Sequence, residues 1–276
     1  MDREARIRLV VSDVDGTLLD PDGVLSPVDF VAVGRLRQVG IKFSLCSARP
    51  PFGMRWLVRT LGVDCTCAGL NGAIVFRPEG SVVAELPLER LLVEELQERM
   101  GRSGLDAWIF TRKQWFVPRL SGPQVRENSD CLRTAPKRFA RLGDIPDAIL
   151  KVVGVHQSPN VVEDCAKELQ NEWRDRVCVT ISPPHCIDLT HVSADKGQAA
   201  GAIASAEGVA KEEVAAIGDS PGDIPMFAAV GTSVAMGQAP AHVRRTASRV
   251  TRSNSENGFA WAIESVLNGR RMLVKS

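Results

Sequence analysis

A β-branched, mainly apolar run, Ile7 to Ser12, shows no alternation and stops at two carboxylates, Asp13 and Asp15. A strand with one face in water alternates; a run that does not alternate suits burial on both faces, the condition of a central strand in a parallel sheet. Parallel strands need crossovers. Ser26-Pro27 supplies an N-cap with proline at the first helical position, Val28, Val31 and Leu36 give the helix an apolar face, and Gly40 closes it. Ile41 to Cys46 reads as a second strand ending at Ser47-Ala48-Arg49, followed by a helix from about Pro51 to Leu61. This order predicts an α/β fold: a doubly wound, Rossmann-like parallel sheet with right-handed crossovers.

The rhythm changes from about Glu85 to Ile187. A helix over Leu88 to Met100, short strands over Asp106 to Phe110 and Trp115 to Val117, and a polar, basic region from Val125 to Arg141 precede a helix capped at Ser158-Pro159 and strands at Val177 to Ser182 and Cys186 to Leu189. This mixture predicts a separate α+β unit inserted over residues 85-187, within a core formed by residues 1-84 and 188-276. After Ala194 the first pattern resumes, with a helix through Glu207, the strand Val214 to Ile217 and a last helix near Phe259 to Leu267. A chain of 276 residues with 44% hydrophobic content can bury two such cores. Lys+Arg 34 against Asp+Glu 33 gives a net charge of +1, so no global field favours a nucleic acid or a membrane surface. The first eight residues are charged rather than apolar, and no stretch approaches a membrane span, which predicts a cytoplasmic protein. Seven cysteines without zinc or disulfide spacing read as reduced, mostly buried thiols.

In a parallel sheet ligands bind beyond the carboxyl ends of the strands. Three polar clusters fall at such ends: Asp13 and Asp15, then Ser47, then Asp219 and Asp223. Asp13-Val14-Asp15-Gly16 opens like a calcium loop, but the sixth position is Leu18 rather than glycine and the twelfth is Val24 rather than glutamate. Asp219 adds a third carboxylate, which suits a hard divalent ion such as Mg2+. Ser47 brings a hydroxyl with neighbouring N–H groups, and Lys196, at the start of a helix, brings a positive charge. The set describes a site for a phosphoryl group with a carboxylate available for attack.

The ordered motifs DVDGTLLD, CSAR, ADKG and GDSPGDIPMF, with NGA at Asn71 to Ala73, IDLT, VAMGQAP and SNSENGFAWAI, resemble the haloacid dehalogenase superfamily of phosphatases, in its Cof-type branch with a large inserted cap. The resemblance implies an aspartyl-phosphate mechanism with Asp13 as nucleophile and Asp15 as general acid and base. It implies Mg2+ held by the Asp13 carboxylate, the Asp15 backbone carbonyl and Asp219. Val14 N–H, Ser47, the Ala48 backbone and Lys196 would hold the phosphoryl oxygens, and Asp223 would orient the metal site or Lys196. Asn71 reads equally as a substrate contact or a turn residue. Two positions depart from the family's pattern: Ala48 stands where glycine is usual, and Gly222 where asparagine usually offers an amide to the phosphate. The inserted unit would carry substrate specificity.

The expected function is Mg2+-dependent hydrolysis of a small phosphorylated metabolite, a sugar phosphate or similar. Alternatives are a phosphomutase acting on hexose phosphates and a weakly active regulator that binds such a ligand. His156, His185, His191 and His242 are dispersed and read as packing or surface residues, His185 standing out beside Pro183 and Pro184. Arg126, Arg133, Lys137, Arg138 and Arg141 read as a solvated face.

Overall fold

The computed structural model describes residues 6–182 and 185–268, and the chain packs as two compact units. One comprises the described residues of Met1–Ala48, Trp56–Val83 and Asp195–Ser276, and the other those of Arg49–Arg55 and Ala84–Ala194. Among the described residues no helix is long and apolar enough to cross a membrane.

The chain begins with β1 (Leu9–Ser12), α1 (Pro27–Gln38), β2 (Lys42–Leu45) and α2 (Pro51–Leu61). Three short strands follow, β3 (Cys67–Gly69), β4 (Ile74–Phe76) and β5 (Val82–Glu85), which form a small sheet of their own. The second unit then runs through α3 (Arg90–Arg102), β6 (Asp106–Phe110), β7 (Trp115–Val117), α4 (Pro123–Leu132), β8 (Lys137–Arg138), β9 (Lys151–Val155), α5 (Pro159–Trp173), β10 (Val177–Ser182) and β11 (Cys186–His191). The first unit is completed by α6 (Lys196–Ala206), β12 (Val214–Gly218), α7 (Ile224–Ala228), β13 (Thr232–Ala235), α8 (Ala241–Thr246), β14 (Arg249–Val250) and α9 (Gly258–Asn268).

The main sheet of the first unit has the order β14-β13-β12-β1-β2, with all neighbours parallel. β1 lies at its centre, and Leu9, Val10, Val11 and Ser12 are all fully buried, as the unbroken apolar run requires. Leu9, Val11, Val214 and Ala216 share one core with Ala199, Ala200 and Ile203 of α6 and Met226 and Phe227 of α7. At the other side α1 and α9 lie together, and Phe43 of β2 meets Phe259 of α9 edge-on at 6.0 Å. Helices on both faces make the sheet doubly wound. The register Ser12↔Ile217 and Ser12↔Leu45 brings the carboxyl ends of β12, β1 and β2 side by side.

The second unit is built on a six-stranded sheet, β10-β11-β9-β6-β7-β8, antiparallel except between β7 and β8. Ile109, Val152, Ile187 and Leu189 of this sheet pack with Leu96 and Met100 of α3 and Ala166 and Leu169 of α5. The polar, basic region from Val125 to Arg141 holds most of α4 and all of β8. α4 buries only Val125 and Leu132, and Arg126, Arg133, Lys137, Arg138 and Arg141 are all exposed. The boundary at 187 drawn from the sequence falls inside β11, which continues to His191 and is followed by the turn in which Ala194 N–H donates to His191 O at 2.8 Å.

Asp29 ties α1 to α9. The Ser26 hydroxyl accepts from Asp29 N–H at 3.0 Å and donates to Asp29 Oδ2 at 2.7 Å, while Asp29 Oδ1 accepts from Ala260 N–H at 2.9 Å in the first turn of α9. Asp29→Ala strands that buried N–H and is expected to cost about 1–3 kcal/mol, read as a lower urea midpoint. Asp29→Asn keeps an acceptor and is expected to cost less; equal losses would contradict the role given to Oδ1.

Candidate active site

Beyond β1 the chain makes one wide turn, Val14–Leu18, closed by Leu19 N–H donating to Val14 O at 3.0 Å. Asp15 and Gly16 leave helical geometry inside it, and Gly16 sits at φ 77°. Glycine is required there for two reasons. The left-handed backbone disfavours a side chain, and a Cβ would overlap the Asp219 carboxylate. The turn sends two acids, separated by a single residue, into different surroundings: Asp13 is buried and Asp15 is exposed.

Lys196 enters from the start of α6. Asp195 caps this helix by accepting from Gly197 N–H at 2.7 Å and Gln198 N–H at 2.8 Å. The buried Lys196 Nζ then lies 2.8 Å from Asp13 Oδ1 and 2.6 Å from Asp223 Oδ1. Asp223, fully buried, also accepts on Oδ2 from Asp219 N–H at 3.0 Å, Ser220 N–H at 2.8 Å and the Ser220 hydroxyl at 2.9 Å. Asp219 Oδ1 accepts from the Thr17 hydroxyl at 3.0 Å.

One oxygen each of Asp13, Asp219 and Asp223 lies within 4.8 Å of the others. Burial, followed by the Asp223 charge, holds the Asp13 carboxyl well above the usual carboxylate range, against the pull of Lys196. The same two causes push Asp219 up to about 6. Burial works to neutralise Lys196, but Asp13 and Asp223 outweigh it and keep the ammonium charged. Three clustered carboxylates thus stand against one lysine, which meets two of them, and that donor set fits a hard divalent cation such as Mg2+. With Asp223 engaged on both oxygens, Asp13 and Asp219 are the side chains that would hold the cation. Asp223 would act through Lys196 and the 219–220 backbone.

Ser47 is buried at the end of β2, with its N–H donating to Ala68 O at 3.0 Å and its carbonyl accepting from Asn71 N–H at 3.1 Å. Its backbone is committed, so its grip on an anion would come through the hydroxyl. Ala48 lies outside the left-handed region, which makes the change from glycine a mild one. Leu70 (φ 53°) and Asn71 (φ 58°) are consecutive left-handed residues, a conformation that costs on the order of 1–2 kcal/mol per side-chain-bearing residue. The bond to Ser47 anchors this turn, and Asn71 is 9% exposed. Gly222 lies in the short turn Pro221–Asp223 and is not left-handed, so its backbone admits a side chain.

Asp13, Val14, Asp15, Ser47, Ala48, Asn71, Lys196, Asp219, Gly222 and Asp223 therefore all belong to the first unit. Sequence reasoning missed Thr17 and Ser220, the partners of Asp219 and Asp223; both stand inside the quoted motifs but carry no charge to mark them. His156 Nδ1 accepts from Ser158 N–H at 3.0 Å and His191 Nδ1 from Ser193 N–H at 3.1 Å, both local turns. Pro183 and Pro184, beside His185, lie outside the described residues.

A doubly wound sheet with a carboxylate–lysine cluster at the carboxyl ends of its strands defines an α/β protein with its candidate site where such sheets bind ligands. The chain belongs to the haloacid dehalogenase-like hydrolases, whose family model matches residues 10–263. It is similar to 5-amino-6-(5-phospho-D-ribitylamino)uracil phosphatase YwtE of Bacillus subtilis (strain 168), with 24% identity over 96% of this chain and 99% of that protein. Pyridoxal phosphate phosphatase YbhA of Escherichia coli (strain K12) is 23% identical over 94% of this chain and 98% of its own length. Among solved structures, a haloacid dehalogenase-like hydrolase from Bacteroides thetaiotaomicron superposes with a TM-score of 0.85 at 26% identity, covering 94% of this chain and 99% of that one.

The raised carboxylates give a pH-dependent prediction. A carboxyl whose folded pKa is raised stabilises the fold below its unfolded value and loses that contribution as pH rises through the folded value, here from about 4 to about 6 for Asp219. A cation must displace those protons. Saturating Mg2+ is therefore expected to raise the melting temperature by roughly 5–10 °C at about pH 8 and by clearly less at about pH 5. Equal increments at the two pH values would contradict this.

Proposed function

We propose that this chain is a phosphoric monoester hydrolase that, with Mg2+ bound, cleaves a small phosphorylated metabolite through an aspartyl-phosphate on Asp13. The observation that carries the reading is the pairing of buried Asp13 with Lys196 while Asp15, two residues on, stands exposed. The bound cation supplies positive charge that offsets repulsion between Asp13 and an anionic substrate. Asp13 attacks phosphorus, the bond from phosphorus to the ester oxygen breaks, and Asp15 gives its proton to the departing oxygen. Asp15, now ionised, takes a proton from water as that water attacks the phosphorus; the bond to Asp13 breaks and inorganic phosphate leaves. Lys196, the Ser47 hydroxyl and the backbone N–H groups of Val14 and Ala48 hold the phosphoryl oxygens. Asn71 contacts the substrate from its turn beside Ser47.

The relatives named for a phosphoribitylaminouracil and for pyridoxal phosphate support a substrate of that size class, a single phosphate ester on a small polar body. The second unit, residues 49–55 and 84–194, is the part we assign to choosing among such esters.

Release of phosphate from 4-nitrophenyl phosphate with Mg2+ tests the mechanism. Asp13→Asn and Asp13→Ala are each expected to lower turnover by at least about three orders of magnitude. Activity that survives both substitutions overturns it, and interconversion of hexose phosphates without phosphate release would favour a mutase instead. Gly222→Asn is expected to preserve activity or raise it by up to about tenfold, the worth of one added donor at the phosphate. A sharp fall would mean that the site is built around glycine.

A further inference from the structure

VAMGQAP and SNSENGFAWAI lie outside the chemistry above, yet they close on the turn that carries Asp15. After β13, Met236 N–H donates to Gly218 O at 2.9 Å, Thr251 N–H to Ala235 O at 2.9 Å and Gly237 N–H to Arg252 O at 2.9 Å. At Gly237 a Cβ would press on the backbone of Arg252 and Ser253, so only glycine lets these two segments zip together. The zip places Asn254 N–H 3.0 Å from Gln238 Oε1. That bond orients the Gln238 amide, whose Nε2 donates to Gly16 O at 2.5 Å. The Asn254 side chain reaches the same turn three residues further on, Nδ2 donating to Leu19 O at 3.0 Å.

The turn needs such a clamp. Gly16 lies outside helical geometry, so no helical ladder takes its carbonyl, and the exposed Asp15 side chain is not fixed by burial in a core. The path of the backbone through this turn sets where the Asp15 side chain starts, and the peptide leaving Gly16 is held by Gln238. We propose that Gln238 and Asn254 are positioning residues for Asp15, an amide clamp that aims its carboxyl at the leaving oxygen. This rests on the reading of Asp15 as the general acid.

Protonation matters most when the leaving group is poor, so the test compares kcat for an alkyl phosphate, glycerol phosphate, with kcat for 4-nitrophenyl phosphate. Gln238→Ala is expected to lose about 10- to 100-fold more on the alkyl ester than on the nitrophenyl ester. Gln238→Glu keeps an acceptor for Asn254 N–H but removes the donor to Gly16 O, and Asn254→Asp removes the donor to Leu19 O; both should show the same bias. These nearly isosteric variants keep the test open if Gln238→Ala does not fold. Asp15→Asn is the reference. If it shows the bias and the clamp variants lose equally on both esters, or lose nothing, the clamp is overturned while the general acid stands. If Asp15→Asn shows no bias, the reading of Asp15 itself fails and the clamp falls with it.

Discussion

Lys196 lies 2.8 Å from Asp13 and 2.6 Å from Asp223, buried with both, and the charge balance of the site depends on that one ammonium. Removing one partner of a buried ion pair typically costs about 3–5 kcal/mol, because the remaining charge stays in the interior uncompensated. Here the remainder would be three carboxylates. The lysine is in turn placed by its neighbours: Asp195 caps α6 one residue before it, and the N–H groups of Asp219 and Ser220 fix the Asp223 carboxylate that it meets. Two loops at the ends of β1 and β12 and one helix start are thereby locked together. A divalent cation would take up the negative charge that the lysine leaves over.

This arrangement explains why the four acids differ in kind. Asp223 spends both oxygens on protein donors and serves as a strut. Asp13 and Asp219 are burdened by burial and by Asp223, a burden that a bound cation would relieve. Asp15 is turned out of the cluster by the Gly16 backbone and escapes burial, the setting an acid needs if it is to meet a substrate oxygen and then water. One wide turn after a central strand produces the difference.

Much of the core was legible because its signals are local. The unbroken run before Asp13 marked the central parallel strand, and Ser26-Pro27 marked a helix whose cap the structure shows in full. Asp13, Asp15, Ser47, Asp219 and Asp223 lie beyond strand ends and Lys196 at a helix start, the places expected from the sequence. Other features carry no local signature. β3, β4 and β8 have three residues or fewer, α4 hides two apolar side chains among charged ones, and β9, a buried KVVGV segment beginning with lysine, fits neither period cleanly. The sequence left open whether Asp223 serves the metal or Lys196, because a contact across 27 positions is decided by the fold. The bond from Gln238 to Gly16, across 222 positions, was invisible for the same reason.

The central claim is that Asp13 carries the phosphoryl group while Asp15 moves protons, and rapid-quench labelling tests it most directly. In Asp15→Asn, an aryl phosphate with a good leaving group should still phosphorylate the protein, whereas hydrolysis of the intermediate should be slow. The account predicts a burst of about one phenol per chain and a phosphoryl label on the peptide containing Asp13, absent when Asp13→Ala is added. A label on any other residue, or steady turnover in which phenol and phosphate appear together with no labelled protein, would contradict it.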